Sequence, residues 1–323
     1  MFETRITEMF AIKYPILQGT MQWLSTAPLV AAVSEAGGLG ILASAMFSTK
    51  EELREEIRKT KSLTSKPFAV NINLFPTMRP VDLEGYIDTA LEEGVNIIET
   101  SGRSPQPYVE RIKQGDVKLM HKVARARDAR TAERTGCDAV TIVGFEGAGH
   151  PGMDDVPTMV HVPVTVDSVS IPVIAAGGIG DARGFVAALA LGAEGVCLGT
   201  RFMASHECPV HPKFKEWMLS AQQTDTMIIE RSIMNAARVV KNEVAQQVLE
   251  MENRGATLEE LLPVISGERG RQVFDEGDLS AGTAACGEVV GLIHEVLSVR
   301  EVIEGIISGA KAIIERMQAL ARP

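Results

Sequence analysis

A parallel eight-stranded barrel wrapped in helices, the (β/α)8 TIM barrel, is the fold class this sequence predicts, and three observations predict it. Short β-branched runs alternate with helix-patterned segments through the first two thirds of the chain. Eight such runs occur, which is the strand count of that barrel. The strongest glycine turns, Gly177-Gly178 and Gly199-Thr200, follow the seventh and eighth runs, where such barrels build phosphate sites. An open doubly wound sheet would usually have fewer strands and would place its glycine-rich turn after the first one.

The runs are YPILQ (14–18), GLGILA (38–43), PFAVNIN (67–73), VNIIETS (95–101), VKLMHKV (117–123), CDAVTIV (137–143), IPVIAAGG (171–178) and AEGVCLGT (193–200). Helical spacing fills the gaps, as in APLVAAVSEAG, which stops at Gly37-Gly38. Beyond Phe202 the pattern changes to helices over 212–221, 226–254, 257–266 and 296–320, with no strand-like alternation between them. The expected organisation is a barrel over 1–211, a small helical region covering its mouth over 212–292, and a last helix over 293–323 returning to the barrel.

With 323 residues the chain can bury a sizeable core, and 45% hydrophobic with 23% charged residues is ordinary for a soluble globular protein. The formal charge of −10 repels a phosphate backbone, so nucleic acid is not an expected partner, although one phosphate could still sit in a local basic pocket. Cys137, Cys197, Cys208 and Cys286 are scattered without disulfide or zinc spacing, which suits a reducing cytosol. The first ten residues lack an apolar signal core and no apolar run reaches membrane-spanning length, so no membrane association and a cytoplasmic location are expected.

The two glycine turns lie on the barrel face where active sites form, and their backbone N–H groups could approach an anion, helped by a short helix over 201–205. His150 lies in a glycine-bracketed loop, GFEGAGHPG (144–152), after the sixth strand, and imidazole can exchange a proton near neutral pH. Glu146 reads as an anchor for that loop. Asp154-Asp155 reads as a loop or helix cap, since nothing at metal-ligand spacing accompanies the pair, and no metal is expected. Cys197 within the eighth strand reads as a packing residue, and His161, His206, His211 and His294 as structural.

The motifs ILQGTMQWL, the Gly-Gly and Gly-Thr turns and above all E-x-A-G-H-x-G resemble the FMN-dependent nitronate monooxygenase superfamily, once called 2-nitropropane dioxygenases. The resemblance covers nearly the whole chain. NINLFPTMRP (71–80), LMHKV (119–123), RSIMNAARVVKN (231–242) and GERGRQVFDEGD (267–278) are similar to the branch whose characterised members are NADH:quinone reductases. Two departures stand out: Met78 replaces a glutamine that meets the dinucleotide's adenine, and Thr20 replaces a glycine near the expected flavin.

The resemblance implies an FMN cofactor with NADH or NADPH as co-substrate, and a quinone or a nitronate as the small-molecule substrate. A flavin needs a backbone cradle and an apolar floor, which Gln18, Gly19, Thr20 and Met21 could supply, with Gln22 and Trp23 as wall. Asn71 and Lys122 have side chains suited to the flavin's carbonyl and N1 edge, where a cation stabilises the anionic reduced ring. Gly149, Gly177, Gly178, Gly199 and Thr200 complete the expected cofactor site, and His150 with Lys122 would be catalytic.

The loop over 73–82, with Pro76 and Met78, reads either as a lid contacting substrate or as a proline-stiffened surface loop. Arg231, Asn235, Arg238 and Asn242 recur at helical spacing, so one helix face roofing the site is expected, with Asn235 and Arg238 toward substrate; a solvated polar stripe is the plainer reading. The favoured activity is NAD(P)H:quinone reduction, with nitronate oxidation by O2 and an FMN-type enoyl-thioester reductase of fatty acid synthesis as alternatives. A flavin-free phosphate-binding lyase or isomerase, or a non-catalytic scaffold, would be a different class. A homodimer is left open.

Overall fold

The computed structural model describes residues 2–75 and 81–321. Eight parallel strands alternate with helices as the sequence predicts. In chain order they are α1 (Arg5–Phe10), β1 (Ile16–Gln18), α2 (Ala27–Glu35), β2 (Gly40–Ala43), α3 (Lys50–Leu63), β3 (Phe68–Asn73), α4 (Leu83–Glu92) and β4 (Ile97–Ser101). Then come α5 (Gln106–Ile112), β5 (Lys118–Val123), α6 (Ala126–Thr135), β6 (Ala139–Val143), α7 (Thr158–Val166), β7 (Val173–Ala176), α8 (Ala182–Ala190), β8 (Gly195–Leu198) and the single turn α9 (Thr200–Met203). Each strand pairs with its sequence neighbour, β8 pairs back onto β1, and a parallel bridge between Leu17 and Leu39 closes the ring.

Strand periodicity sorts the side chains into two cores. Ile16, Leu42, Val70, Ile98, Leu119, Val140, Val173 and Val196 face outward and pack under the helices. Leu17, Ile41, Ala69, Ile97, Met120, Ala139, Ile174 and Cys197 face inward, where Ile6 and Phe10 of α1 join them and plug the N-terminal end. The next inward positions toward the C-terminal end are Asn71, Glu99, Lys122 and Thr141. The barrel interior therefore changes from hydrocarbon to polar groups at its mouth.

The C-terminal third departs from the expected run of helices. After α10 (Pro212–Ser220) the segment 226–254 holds an antiparallel hairpin, β9 (Thr226–Ile229) and β10 (Ala237–Val240), before α11 (Glu243–Asn253) begins. The hairpin buries Ile229, Ala237 and Val239 against Ala245, Val248 and Leu261, a satellite core that helical periodicity alone does not reveal. Arg231, Asn235, Arg238 and Asn242 consequently do not share a helix face: Asn242 caps α11, Arg238 lies in β10, and Arg231 and Asn235 lie in the hairpin turn.

Two further helices, α12 (Leu258–Ile265) and α13 (Gly267–Glu276), precede α14 (Val299–Leu320), which lies against α8 and α2 on the barrel's outer wall. The sequence 267–276 was not expected to be helical. Among the described residues no helix is long and apolar enough to cross a membrane.

Candidate active site

The polar layer at the barrel mouth is built on three adjacent strands. Lys122 Nζ lies 3.3 Å from Glu99 Oε1. The Thr20 hydroxyl donates to Glu99 Oε2 at 2.5 Å, and the Asn71 amide donates to the same oxygen at 2.7 Å. Glu99 is fully buried, and burying a carboxylate this deeply is tolerable only with such partners. Burial pulls the Lys122 pKa down, but the charge of Glu99 and its hydrogen bond outweigh that and leave it raised. Beyond its ion pair with Lys122, Glu99 Oε1 accepts no hydrogen bond, and buried Thr141 Oγ1 has no hydrogen-bond partner among the described residues, so the layer retains unused polar valence facing inward.

The first-strand motif divides between wall and rim. The Gln18 side chain points outward by strand alternation, leaving only its backbone toward the mouth, and its amide donates to Ser25 Oγ at 2.7 Å and to the Ile41 carbonyl at 3.2 Å. Its side chain ties β1 to β2 and is spent on that. Gly19 donates to the Leu198 carbonyl at 2.8 Å, and the Met21 amide donates to Ser25 Oγ at 2.8 Å, so the turn is held open over the mouth. Trp23, with φ +69°, lies under the Arg271 guanidinium and lines a cleft of about 370 Å³ with Met46, Ser48 and residues of α13. Gln22 is exposed beside it.

The late glycine turns meet at the same rim. Gly177 needs its freedom: at φ +92° an added Cβ would lie 3.0 Å from the Gly144 carbonyl oxygen. Gly178 follows at φ +71° beside the Glu146 side chain. Glu146 is the expected anchor, since its carboxylate accepts from the Thr158 amide, and the Thr158 hydroxyl lies 2.9 Å from both Glu146 Oε2 and the Gly177 carbonyl, with one hydrogen to give to either. At Gly199 an added Cβ would meet nothing within 4 Å, so the space above that turn is open. Thr200 Oγ1 accepts from the Gly287 amide at 3.0 Å and is turned toward the protein. The first amides of α9 have no partner within their own helix, as at any helix start.

His150 stands on the loop after β6, reachable from solvent, with its ring 5.2 Å from that of Phe75 between centroids. Protein crowding round the ring removes enough hydration to lower its pKa below the ordinary histidine value. The loop is laced to the hairpin by two backbone bonds between Gly149 and Arg238. Arg231 pairs with Asp155 and donates to the Met153 carbonyl, so Asp155 serves as the hairpin's partner and not as a helix cap; Pro157 holds the cap position of α7.

Arg238 does not face substrate as expected. Only 3% exposed, it stacks on Phe145, donates to the Phe145 carbonyl and to Thr226 Oγ1, and pairs with Glu288 at 3.0 Å. A guanidinium so enclosed braces the loop and is not presented to substrate. Asn235 is placed against His150, whereas Pro76 and Met78 lie outside the described residues.

Three contributors were missed from sequence: Glu99, Phe75 and Glu230. Glu99 had a readable signal, because an acid two residues after Ile97 in a buried strand must share its inward face.

A flavin mononucleotide fits these residues on three counts: an inward layer with unsatisfied polar atoms, a lysine among them, and glycine turns with free space at Gly199. Residues 3–309 match the nitronate monooxygenase family. The chain belongs to that family, and it is an oxidoreductase. As a member of the nitronate monooxygenase family it is similar to FabK from Thermotoga maritima, 39% identical with a TM-score of 0.92 over 99% of this chain and 100% of that one. It is 33% identical to the (3aS,4S,5R,7aS)-5-hydroxy-7a-methyl-1-oxo-octahydro-1H-indene-4-carboxyl-CoA dehydrogenase of Rhodococcus jostii, over 98% of this chain and 97% of the relative. A probable nitronate monooxygenase of Staphylococcus aureus is 32% identical over 77% of this chain and 81% of its own length.

Proposed function

We propose that the protein is an FMN-dependent reductase that takes hydride from NADH or NADPH and delivers two electrons to a quinone. The observation that carries this reading is the Lys122–Glu99 pair on the inner wall at the barrel mouth, on the same rim as the two glycine turns. When bound, FMN would supply the two-electron relay between the nicotinamide and the acceptor.

The chain's own residues do the rest. The turns at Gly177-Gly178 and Gly199-Thr200 hold the phosphate through backbone N–H groups. Asn71 and Lys122 orient the polar edge of the ring, and Lys122 offsets negative charge there. His150, kept neutral by its surroundings, presents a hydrogen-bond donor to an acceptor oxygen. Phe75 gives the acceptor an apolar surface to lie on and excludes water from one side.

A second reading replaces the quinone by an enoyl thioester, also a conjugated carbonyl acceptor. The observation in its favour is the full-length relative named for a carboxyl-CoA substrate. The deciding experiment is anaerobic: purified protein is titrated with NADH and with NADPH while the flavin absorbance is followed, then reoxidised with a quinone or with an enoyl-CoA. Bleaching by a pyridine nucleotide and rapid recovery with quinone support the first reading. Recovery with enoyl-CoA alone favours the second. Bleaching by a nitronate but by neither nucleotide, or a colourless protein that binds no FMN, would overturn both.

A further inference from the structure

The turn of the hairpin places two polar residues, Glu230 and Asn235, behind His150. Glu230 and Met234 both have left-handed backbone, at φ +65° and +58°, which non-glycine residues adopt only when their surroundings hold them there. The surroundings are visible. Glu252 of α11 accepts from the Glu230 amide and from the Ser232 amide, each at 2.8 Å, and the Asn235 amide donates to the Glu230 carbonyl at 3.1 Å. On the other side, the Gly149–Arg238 backbone bonds and the Arg231–Asp155 pair fix the turn against the histidine loop.

Held in this way, Asn235 Nδ2 lies 2.6 Å from Glu230 Oε2 and 3.2 Å from His150 Nε2. The Glu230 side chain is buried, with 7% of the residue exposed. A carboxylate oxygen at 2.6 Å admits a donor and repels an amide oxygen, so it settles which way the amide faces. The remaining amide hydrogen then points at His150 Nε2, which must accept it. A ring nitrogen that accepts carries no proton, and the proton is left on Nδ1.

We infer that Glu230, acting through Asn235, is a positioning device that holds His150 as the neutral Nδ1–H tautomer, turning Nδ1–H into the ring's donor. The value to the reaction rests on the proposed reductase reading, in which that donor meets an acceptor oxygen. The arrangement itself does not depend on it.

A pH-linked consequence follows from the same atoms. Burial, reinforced by Glu252 and opposed by the Asn235 hydrogen bond, raises the Glu230 carboxyl to about 7. Once protonated, Glu230 can donate, and Asn235 can turn its oxygen toward both neighbours, which favours a proton on His150 Nε2. The other groups around the array are Glu252 on α11, the Arg231–Asp155 pair, Arg238 with Glu288, and the uncharged Phe75 facing the His150 ring.

The test is nitrogen-15 NMR of histidine-labelled holoprotein, with His150 assigned from its loss in His150→Gln. The expected spectrum above pH 8 shows His150 as Nδ1–H with a pKa below that of an ordinary histidine. Asn235→Asp supplies an acceptor instead, and should move the proton to Nε2 and raise the His150 pKa by at least about one unit, a tenfold change. Glu230→Gln should remove the coupled step near neutral pH. An Nε2–H tautomer in the unaltered protein, or a His150 titration unmoved by Asn235→Asp in a folded sample, overturns the inference. Because the unaltered protein is itself measured, a variant that fails to fold leaves the test intact. The spectra need no turnover, so a correct tautomer with no response to pyridine nucleotide would count against the reductase reading alone.

Discussion

Lys122 Nζ and Glu99 Oε1 lie 3.3 Å apart with the Glu99 side chain fully buried and the Lys122 side chain 21% exposed. The asymmetry predicts unequal consequences of breaking the pair. Lys122→Met leaves a carboxylate inside the barrel with no counter-charge and should cost about 3–5 kcal/mol, whereas Glu99→Gln leaves a lysine that can reach water and should cost less. Replacing both, as Glu99→Gln with Lys122→Met, should recover most of the loss. Urea denaturation of the four proteins checks this, and equal losses for the two single variants would contradict it.

His121 faces outward from β5 and is 4% exposed, with Nδ1 2.8 Å from Thr100 Oγ1. Burial is the main cause of its low pKa, about 4 against 6.5 unfolded, and hydrogen bonding to the Thr100 backbone and the Glu99 charge only partly offset it. A folded pKa below the unfolded one means stability that is complete above pH 6.5 and is lost as pH falls toward 4. The loss should be on the order of 2–3 kcal/mol. His121→Gln should show a shallower decline over that window in thermal melts at stepped pH.

Glu230 has the opposite sign. Its folded pKa, about 7, exceeds the unfolded value of 4.5, chiefly through burial, so its contribution is full below pH 4.5 and is lost as pH rises through 7. Glu230→Gln should therefore be the more stable protein at pH 8, by on the order of 2–3 kcal/mol, and should lose that advantage by pH 4.5. A stability difference that does not change with pH would show that the carboxyl is not held in this environment.

These two residues also mark where sequence reasoning stops. The eight strands were legible because each buried run carries its own hydrophobic signature, and every one lies within the run that predicted it. The glycine turns and the His150 loop were legible as motifs. The hairpin was not, because Ala237, Val239 and Val240 also fit a helical pattern, and only the satellite core that Ala237 and Val239 form with α11 and α12 makes strands of them. The direction of the Gln18 side chain follows from parity: with Leu17 inside the barrel, Gln18 must face out. Glu230 and Asn235 owe their place beside His150 to clamps from Glu252, Asp155 and Gly149, which are remote in sequence and carry no local sign.

Gly199 and Gly177 separate the needs of the fold from those of a ligand. Gly199 has φ −102°, which alanine adopts, and an added methyl would meet no protein atom within 4 Å. Gly177 has φ +92° and its methyl would lie 3.0 Å from a carbonyl oxygen. Gly177→Ala should thus lower stability by about 1–3 kcal/mol whatever the site binds. Gly199→Ala should leave stability within about 0.5 kcal/mol of the parent. If the Gly199 turn approaches the FMN phosphate, however, the same methyl should weaken FMN binding by roughly tenfold or more, the scale of losing one hydrogen bond to a charged group. Thermal melts of the FMN-free proteins and quenching of FMN fluorescence on titration measure the two effects separately. Unchanged FMN affinity in Gly199→Ala would move the phosphate away from this turn, and a large loss of stability there would mean that the space above Gly199 is filled by the chain itself.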